Sequence, residues 1–157
     1  MEKFPMTPRG FEVLKKELNQ LKTVDRRTVI AAIASARELG DLSENAEYHA
    51  AREKQGFIEA RISDLEAKVS QAEVIDPALF SGDKVRFGAT VIIADEETDE
   101  EKTYQIVGTD EADIKAGRLS YSSPLAKALI GKSTGDSITV KTPGGEKHYE
   151  IVDVLYQ

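Results

Sequence analysis

Two long helix-period segments joined by four residues constrain this chain more than anything else in it. Between Phe11 and Arg37 there is no glycine or proline, and Phe11, Leu14, Leu18 and Leu21 follow 3-4-3 spacing. That spacing lays one apolar seam along a helix. Further on the seam loses its phase. Val24, Val29, Ile30 and Ile33 do not continue it, and charged Asp25, Arg26 and Arg27 intervene, so a local irregularity or a change of facing surface is expected there. The second segment steps 3-4-3-4-3-4-3 through Tyr48, Ala51, Gln55, Ile58, Ile62, Leu65, Val69 and Ala72, with Gln55 the one polar member. Gly40-Asp41-Leu42-Ser43 joins the two, and Gly40 suits the left-handed position after a helix. Two such seams on so short a connector can cover their apolar stripes only against each other. The expectation is an antiparallel helical hairpin. A helix of about 30 residues is about 45 Å long, so the connector becomes the tip of a long arm.

Asp76-Pro77 closes the second helix, and the pattern changes beyond it. Lys84–Ala94, Lys102–Val107, Ser137–Lys141 and His148–Tyr156 read as strands. Pro143-Gly144-Gly145 is a turn, and the acidic run Asp95–Lys102 is a solvated hairpin loop. Ser123 and Pro124 open a short helix as N-cap and first residue, and Gly131 stops it. The fold class is therefore α+β, with a helical hairpin over 1–76 and a compact, mainly antiparallel domain over 77–157.

Composition excludes several functions. The 157 residues contain no Cys and no Trp, and aromatic residues make up 6%. Disulfides, thiolate metal sites and cysteine nucleophiles are ruled out, and a base-stacking platform is hard to build. The net charge of −7 disfavours free duplex DNA as a direct partner. No apolar stretch approaches the roughly 18–20 residues of a membrane span. The charged N-terminal residues lack the apolar core of a secretory signal, so a cytoplasmic protein is expected.

The connector concentrates the chemistry. Asp41 and Glu44 form an acidic i, i+3 pair. As a capping box, Asp41 would be the N-cap of the second helix and Glu44 its third residue. As metal ligands, two carboxylates on a rigid arm could hold one face of a Mg²⁺ ion. That ion wants six oxygens and sheds water reluctantly, so a partner would have to complete the site. His49, one turn into the second helix, reads as a surface or packing residue, and Tyr48 as part of the seam.

The stretch GDLSENAEYHAAREKQGF, from Gly40 to Phe57, resembles the tip of the bacterial Gre transcript-cleavage factors, closest to the A-type members. SYSSPLAKALIGKSTGD, Ser120–Asp136, resembles the family's C-terminal signature. Pro5-Met6-Thr7…Gly10 and Thr142–Glu146 match as well, so the likeness runs end to end. It implies an N-terminal antiparallel coiled-coil hairpin and an FKBP-like C-terminal domain. It also implies binding to bacterial RNA polymerase at the secondary channel and stimulation of the polymerase's own hydrolysis of backtracked RNA. On that resemblance Asp41 and Glu44 help hold a Mg²⁺ ion shared with the polymerase, with no cofactor in the isolated protein. Leu42 and Ser43 shape the tip. Arg37 and Arg52 contact the extruded RNA 3′ end, unless they are ordinary surface arginines paired with Glu38 or Glu53. Ser122, Ser123, Pro124 and Leu125 dock on the polymerase rim. The chain is expected to act as a monomer, away from membranes, and as a stimulator of another enzyme.

Three rivals remain. A channel-occupying inhibitor of the same architecture would carry an altered tip, whereas both carboxylates are present here. A prolyl isomerase would need a pocket with several aromatic rings, which the second half barely supplies. A plain coiled-coil adaptor would leave the polar tip and the Ser-Pro motif unexplained.

Overall fold

The computed structural model describes residues 3–42 and 44–157. Ser43, one of the expected tip residues, lies outside them. The chain divides into two compact units, one formed by residues 11–72 and the other by 3–10 with 73–157. Each is described by itself.

The first unit is the expected hairpin. Helix α1 spans Pro8–Gln20, α2 spans Arg26–Arg37, and α3 spans Ala46–Ser70. Between α1 and α2, Leu21–Asp25 form one π-turn, in which the Arg26 N–H reaches back to the Leu21 carbonyl. This is the anticipated irregularity, and it has a simple geometric meaning. An unbroken seam after Leu21 would place Asp25, Thr28, Ala32 and Ser35 inward. The residues actually buried are Val29, Ile33 and Ala36, each one position later. An i→i+5 turn absorbs one extra residue, so it carries the seam past the charged run and brings apolar residues back to the core. Thr23 assists, because its hydroxyl donates to the Asn19 carbonyl at 2.7 Å and competes with the regular ladder.

Val29, Ile58 and Ile62 form the central cluster of the hairpin, flanked by Leu18 and Leu21. Ala51 and Leu65 are also buried, so the seam read from Tyr48 to Val69 is the face that packs. Ion pairs line the joint: Arg26–Glu59 at 2.9 Å, Arg61–Glu17 at 2.7 Å and Lys22–Glu66 at 3.7 Å. All are partly exposed, and pairs of that kind contribute about 0–1 kcal/mol each. They fix the stagger of the helices while the apolar seam supplies the stability.

The second unit is a five-stranded sheet in the order β5-β4-β3-β7-β6, and beside it the short strands β1 (Phe4–Met6) and β2 (Ala72–Val74) form a two-stranded sheet. Its strands are β3 (Thr90–Asp95), β4 (Glu101–Val107), β5 (Arg118–Ser120), β6 (Ser137–Thr142) and β7 (Gly145–Leu155). All pairings are antiparallel except β4 with β5. Helix α4 (Pro124–Leu129) covers one face through Ala126 and Leu129, which are fully buried against Val91, Ile93, Ile106 and Ile151. The structure thus shows the α+β class, a helical hairpin followed by a curled, mainly antiparallel sheet.

Two details differ from the sequence expectation. Only the end of the Lys84–Ala94 segment is a strand. Val85 still reaches the core, because its N–H bonds to the Lys132 carbonyl at 2.7 Å and its carbonyl accepts from Gly131 at 2.9 Å. Residues 3–10 also belong with the second unit rather than the hairpin. The cause is Glu111, whose carboxylate accepts from the Thr7 N–H at 3.0 Å, the Thr7 hydroxyl and the Gly108 N–H at 3.1 Å. Thr7 in turn accepts from the Gly10 N–H at 3.1 Å and so caps α1.

Candidate functional site

Helix α2 ends in a tightened turn. The Glu38, Leu39 and Gly40 N–H groups bond to the Ser35, Ala36 and Arg37 carbonyls, three residues back. Gly40 then adopts φ +111°, a conformation other residues rarely reach. Asp41, Leu42 and Glu44 follow, all exposed. The two acids lie between the ends of two helices, on the surface of the connector.

The capping-box expectation is corrected here. Neither Asp41 nor Glu44 caps α3. The N-cap is Asn45, at φ −90° and ψ 99°, and its side chain accepts from the Tyr48 N–H at 3.0 Å. The helix starts at Ala46, too late for Asp41 to reach its first N–H groups. The same Asn45 side chain donates to the Ala36 carbonyl at 2.6 Å. Sequence reasoning passed over Asn45, although an Asn three residues before the first periodic position, Tyr48, is itself a start signal.

The two arginines lie on either side of the tip. The Arg37 guanidinium carbon is 5.9 Å from the Tyr48 ring centroid, and Tyr48 meets His49 edge-on at 5.5 Å. Tyr48 is therefore more than a seam residue, since it holds a cation at the mouth of the hairpin. Arg52 donates to Gln55 at 3.3 Å. Both arginines are exposed. Among the described residues, no group of three or more His, Asp or Glu side chains converges in a way that could hold a metal ion. Asp41 and Glu44 are hard anionic oxygens, the donor type Mg²⁺ takes. Their chemistry suits that ion, while the described residues by themselves do not make a complete set for it.

In the second unit the Ser-Pro turn forms as expected. Ser123 is the N-cap of α4, accepting from the Ala126 N–H at 3.3 Å and donating to the Ser120 carbonyl at 2.7 Å. Gly131, at φ +90°, lies just beyond the helix. Ser122 and Pro124 are exposed, whereas Leu125 leans on the sheet core. Of the four expected docking residues, Ser122 and Pro124 present the most surface.

The acidic loop closes a hairpin. Asp95 accepts from the Glu97 and Thr98 N–H groups at 2.8 and 3.3 Å. The Glu97 bond above all holds its carboxyl below the usual aspartate range. An open groove elsewhere on this unit is lined by Arg9, Thr90, Thr103, Gln105, Gly117 and Arg118.

Comparison with known proteins places the chain in a family. Residues 4–74 match the family described as "Transcription elongation factor, N-terminal", and residues 81–156 match "Transcription elongation factor, GreA/GreB, C-term". The chain belongs to the GreA/GreB family of transcription elongation factors. It is 69% identical over 156 residues to Transcription elongation factor GreA of Cereibacter sphaeroides strain ATCC 17025, covering 99% of both chains. It is 63% identical to the protein of that name from Jannaschia sp. strain CCS1, again over 99% of each. Among solved structures it is similar to GreA factor homolog 1 of Thermus thermophilus, at 26% identity and a TM-score of 0.45, over 98% of this chain and 99% of that one.

Proposed function

We propose that this elongation factor works by stimulating RNA polymerase's own hydrolysis of backtracked transcripts, and that its tip supplies Asp41 and Glu44 to the reaction. The hairpin enters the secondary channel of the polymerase, and the Ser122–Leu125 turn docks at its rim. The chain acts in the cytoplasm as a monomer. No described helix is long and apolar enough to cross a membrane.

One observation carries this reading. Helix capping at the tip is performed by Asn45, so the capping box no longer accounts for an acidic pair in the connector. Asp41 and Glu44 are both exposed in the connector, and carboxylate oxygens are the donor type Mg²⁺ takes. Asp41 and Glu44 would hold a Mg²⁺ ion together with carboxylates of the polymerase. When bound, such an ion stabilises the charge that develops during phosphodiester hydrolysis. Arg37 and Arg52 contact phosphates of the extruded RNA, with Arg37 held in orientation by the Tyr48 ring.

The test is the Asp41→Asn, Glu44→Gln chain added to stalled, backtracked polymerase. Both substitutions keep size and remove charge. Stimulated cleavage is expected to fall about a hundredfold, equivalent to about 2.7 kcal/mol of transition-state stabilisation, with binding and thermal melting nearly unchanged. Full activity in this variant would overturn the reading. A wild-type chain that binds polymerase and blocks cleavage would establish the inhibitor in its place.

A further inference from the structure

Asn45 does more than start a helix. A primary amide carries a donor and an acceptor on one planar group, and here both are used across the tip. Its oxygen accepts from the Tyr48 N–H in the first turn of α3. Its nitrogen donates to the carbonyl of buried Ala36 in the last turn of α2. The Ala36 carbonyl also accepts from the Leu39 N–H at 3.1 Å, within the turn that leads into the tip. One side chain thus joins the C-terminal turn of one helix to the N-terminal turn of the next. Arg37 over the Tyr48 ring ties the same two turns a second time.

Capping alone does not dictate asparagine. Ser and Asp cap about as well, but an ionised Asp has no donor, and Ser has a single oxygen, one bond closer to the backbone than the amide nitrogen that reaches Ala36. The connector that bears Asp41 and Glu44 is strung between the two groups the amide joins. Resting on the cleavage reading above, we infer that Asn45 is a positioning residue, which sets the placement of Asp41 and Glu44 by bridging the facing ends of α2 and α3. The effect on rate follows from geometry, since misplacing a reacting group by about 1 Å can cost about a hundredfold.

Asn45→Ser and Asn45→Asp separate the bridge from the cap. Both keep an acceptor for Tyr48, and Asp adds a charge that favours a helix N-terminus. Ser loses the second polar atom that reaches Ala36, leaving one shorter hydroxyl, and Asp turns an oxygen toward that carbonyl. Full-length variants are examined by amide hydrogen exchange and by cleavage of backtracked complexes. The expected result is unchanged protection at Tyr48 and faster exchange at Leu39 and Gly40. The maximal cleavage rate should fall about tenfold or more, by the same positional argument, with the half-saturating concentration of the factor unaltered. Equal activity and equal tip protection in both variants, beside an active wild type, would overturn the positioning role alone. Loss of Tyr48 protection in both would also overturn it, because capping would then be the whole effect. A wild-type chain without stimulating activity would overturn the cleavage reading and this role with it.

Discussion

If the π-turn serves to absorb one residue, removing one residue there should do little harm. Thr23 is exposed, and the hydrogen bond found for it runs from its hydroxyl to the Asn19 carbonyl. Deleting it lets Leu21–Asp25 close into ordinary α-helix. Val29, Ile33 and Ala36 would then continue the spacing of Leu14, Leu18 and Leu21 without a phase break, and every buried residue keeps its facing. A deletion at exposed Ala31 gives the opposite result. Each residue subtends about 100° of the helix, so Ile33 and Ala36 can keep their places only if the π-turn closes. Thr28 then rotates into the seam and Val29 rotates out. Val29 is 2% exposed, and uncovering such a side chain costs about 1.5–3 kcal/mol. In a chain of this size that lowers the melting temperature by about 3–12 °C. Deleting Thr23 should stay within about 0.5 kcal/mol of wild type, as a surface change does. Thermal unfolding of the two full-length chains, followed by helical circular dichroism, makes the comparison. A Thr23 deletion as damaging as the Ala31 deletion would refute the reasoning, and would mean that the π-turn is itself required.

The Glu111 hub offers a second test. A methyl group at Gly10 would collide with the Glu111 carboxyl, so Gly10→Ala and Glu111→Ala should each destabilise by about 1–3 kcal/mol through unpaired donors. The double variant in a denaturant titration should cost much less than the sum, because both remove the same bonds. At the Ser-Pro turn, Ser122→Asp with Pro124→Ala should weaken polymerase binding in a competition assay while leaving the melting curve in place. Undiminished affinity would remove this turn from the docking surface.

How much of the fold could be read from the sequence depended on the range of the interactions. The hairpin seam was legible because its periodicity is local and repeats over many turns. The break near Val24 was legible for the same reason, although sequence alone could not show that it was a single extra residue. The short strands were not legible. Phe4–Met6, Ala72–Val74 and Arg118–Ser120 are each three residues long, too few for an alternation to stand out. The anchoring of the N-terminal segment was invisible for another reason. Thr7 and Glu111 are 104 positions apart, and nothing in the local pattern of either points to the other.

At the tip, legibility failed through an excess of signals. Asp41, Ser43 and Asn45 are all good N-cap residues within five positions, and Asp41 with Glu44 satisfied the spacing of a capping box. Propensity could not choose among them. The choice is made by a contact that no cap rule contains, the Asn45 amide on the Ala36 carbonyl nine residues earlier. That bond is available only when α2 and α3 are already packed, so the seam decides where α3 begins. Once it begins at Ala46, the acidic pair is displaced from the helix into the connector and no longer serves as its cap. The same packing therefore shapes the hairpin and exposes the two carboxylates at its end. Substitutions in the upper seam, such as at Ile33 or Ala51, should on this account reach the tip's chemistry through the start of α3.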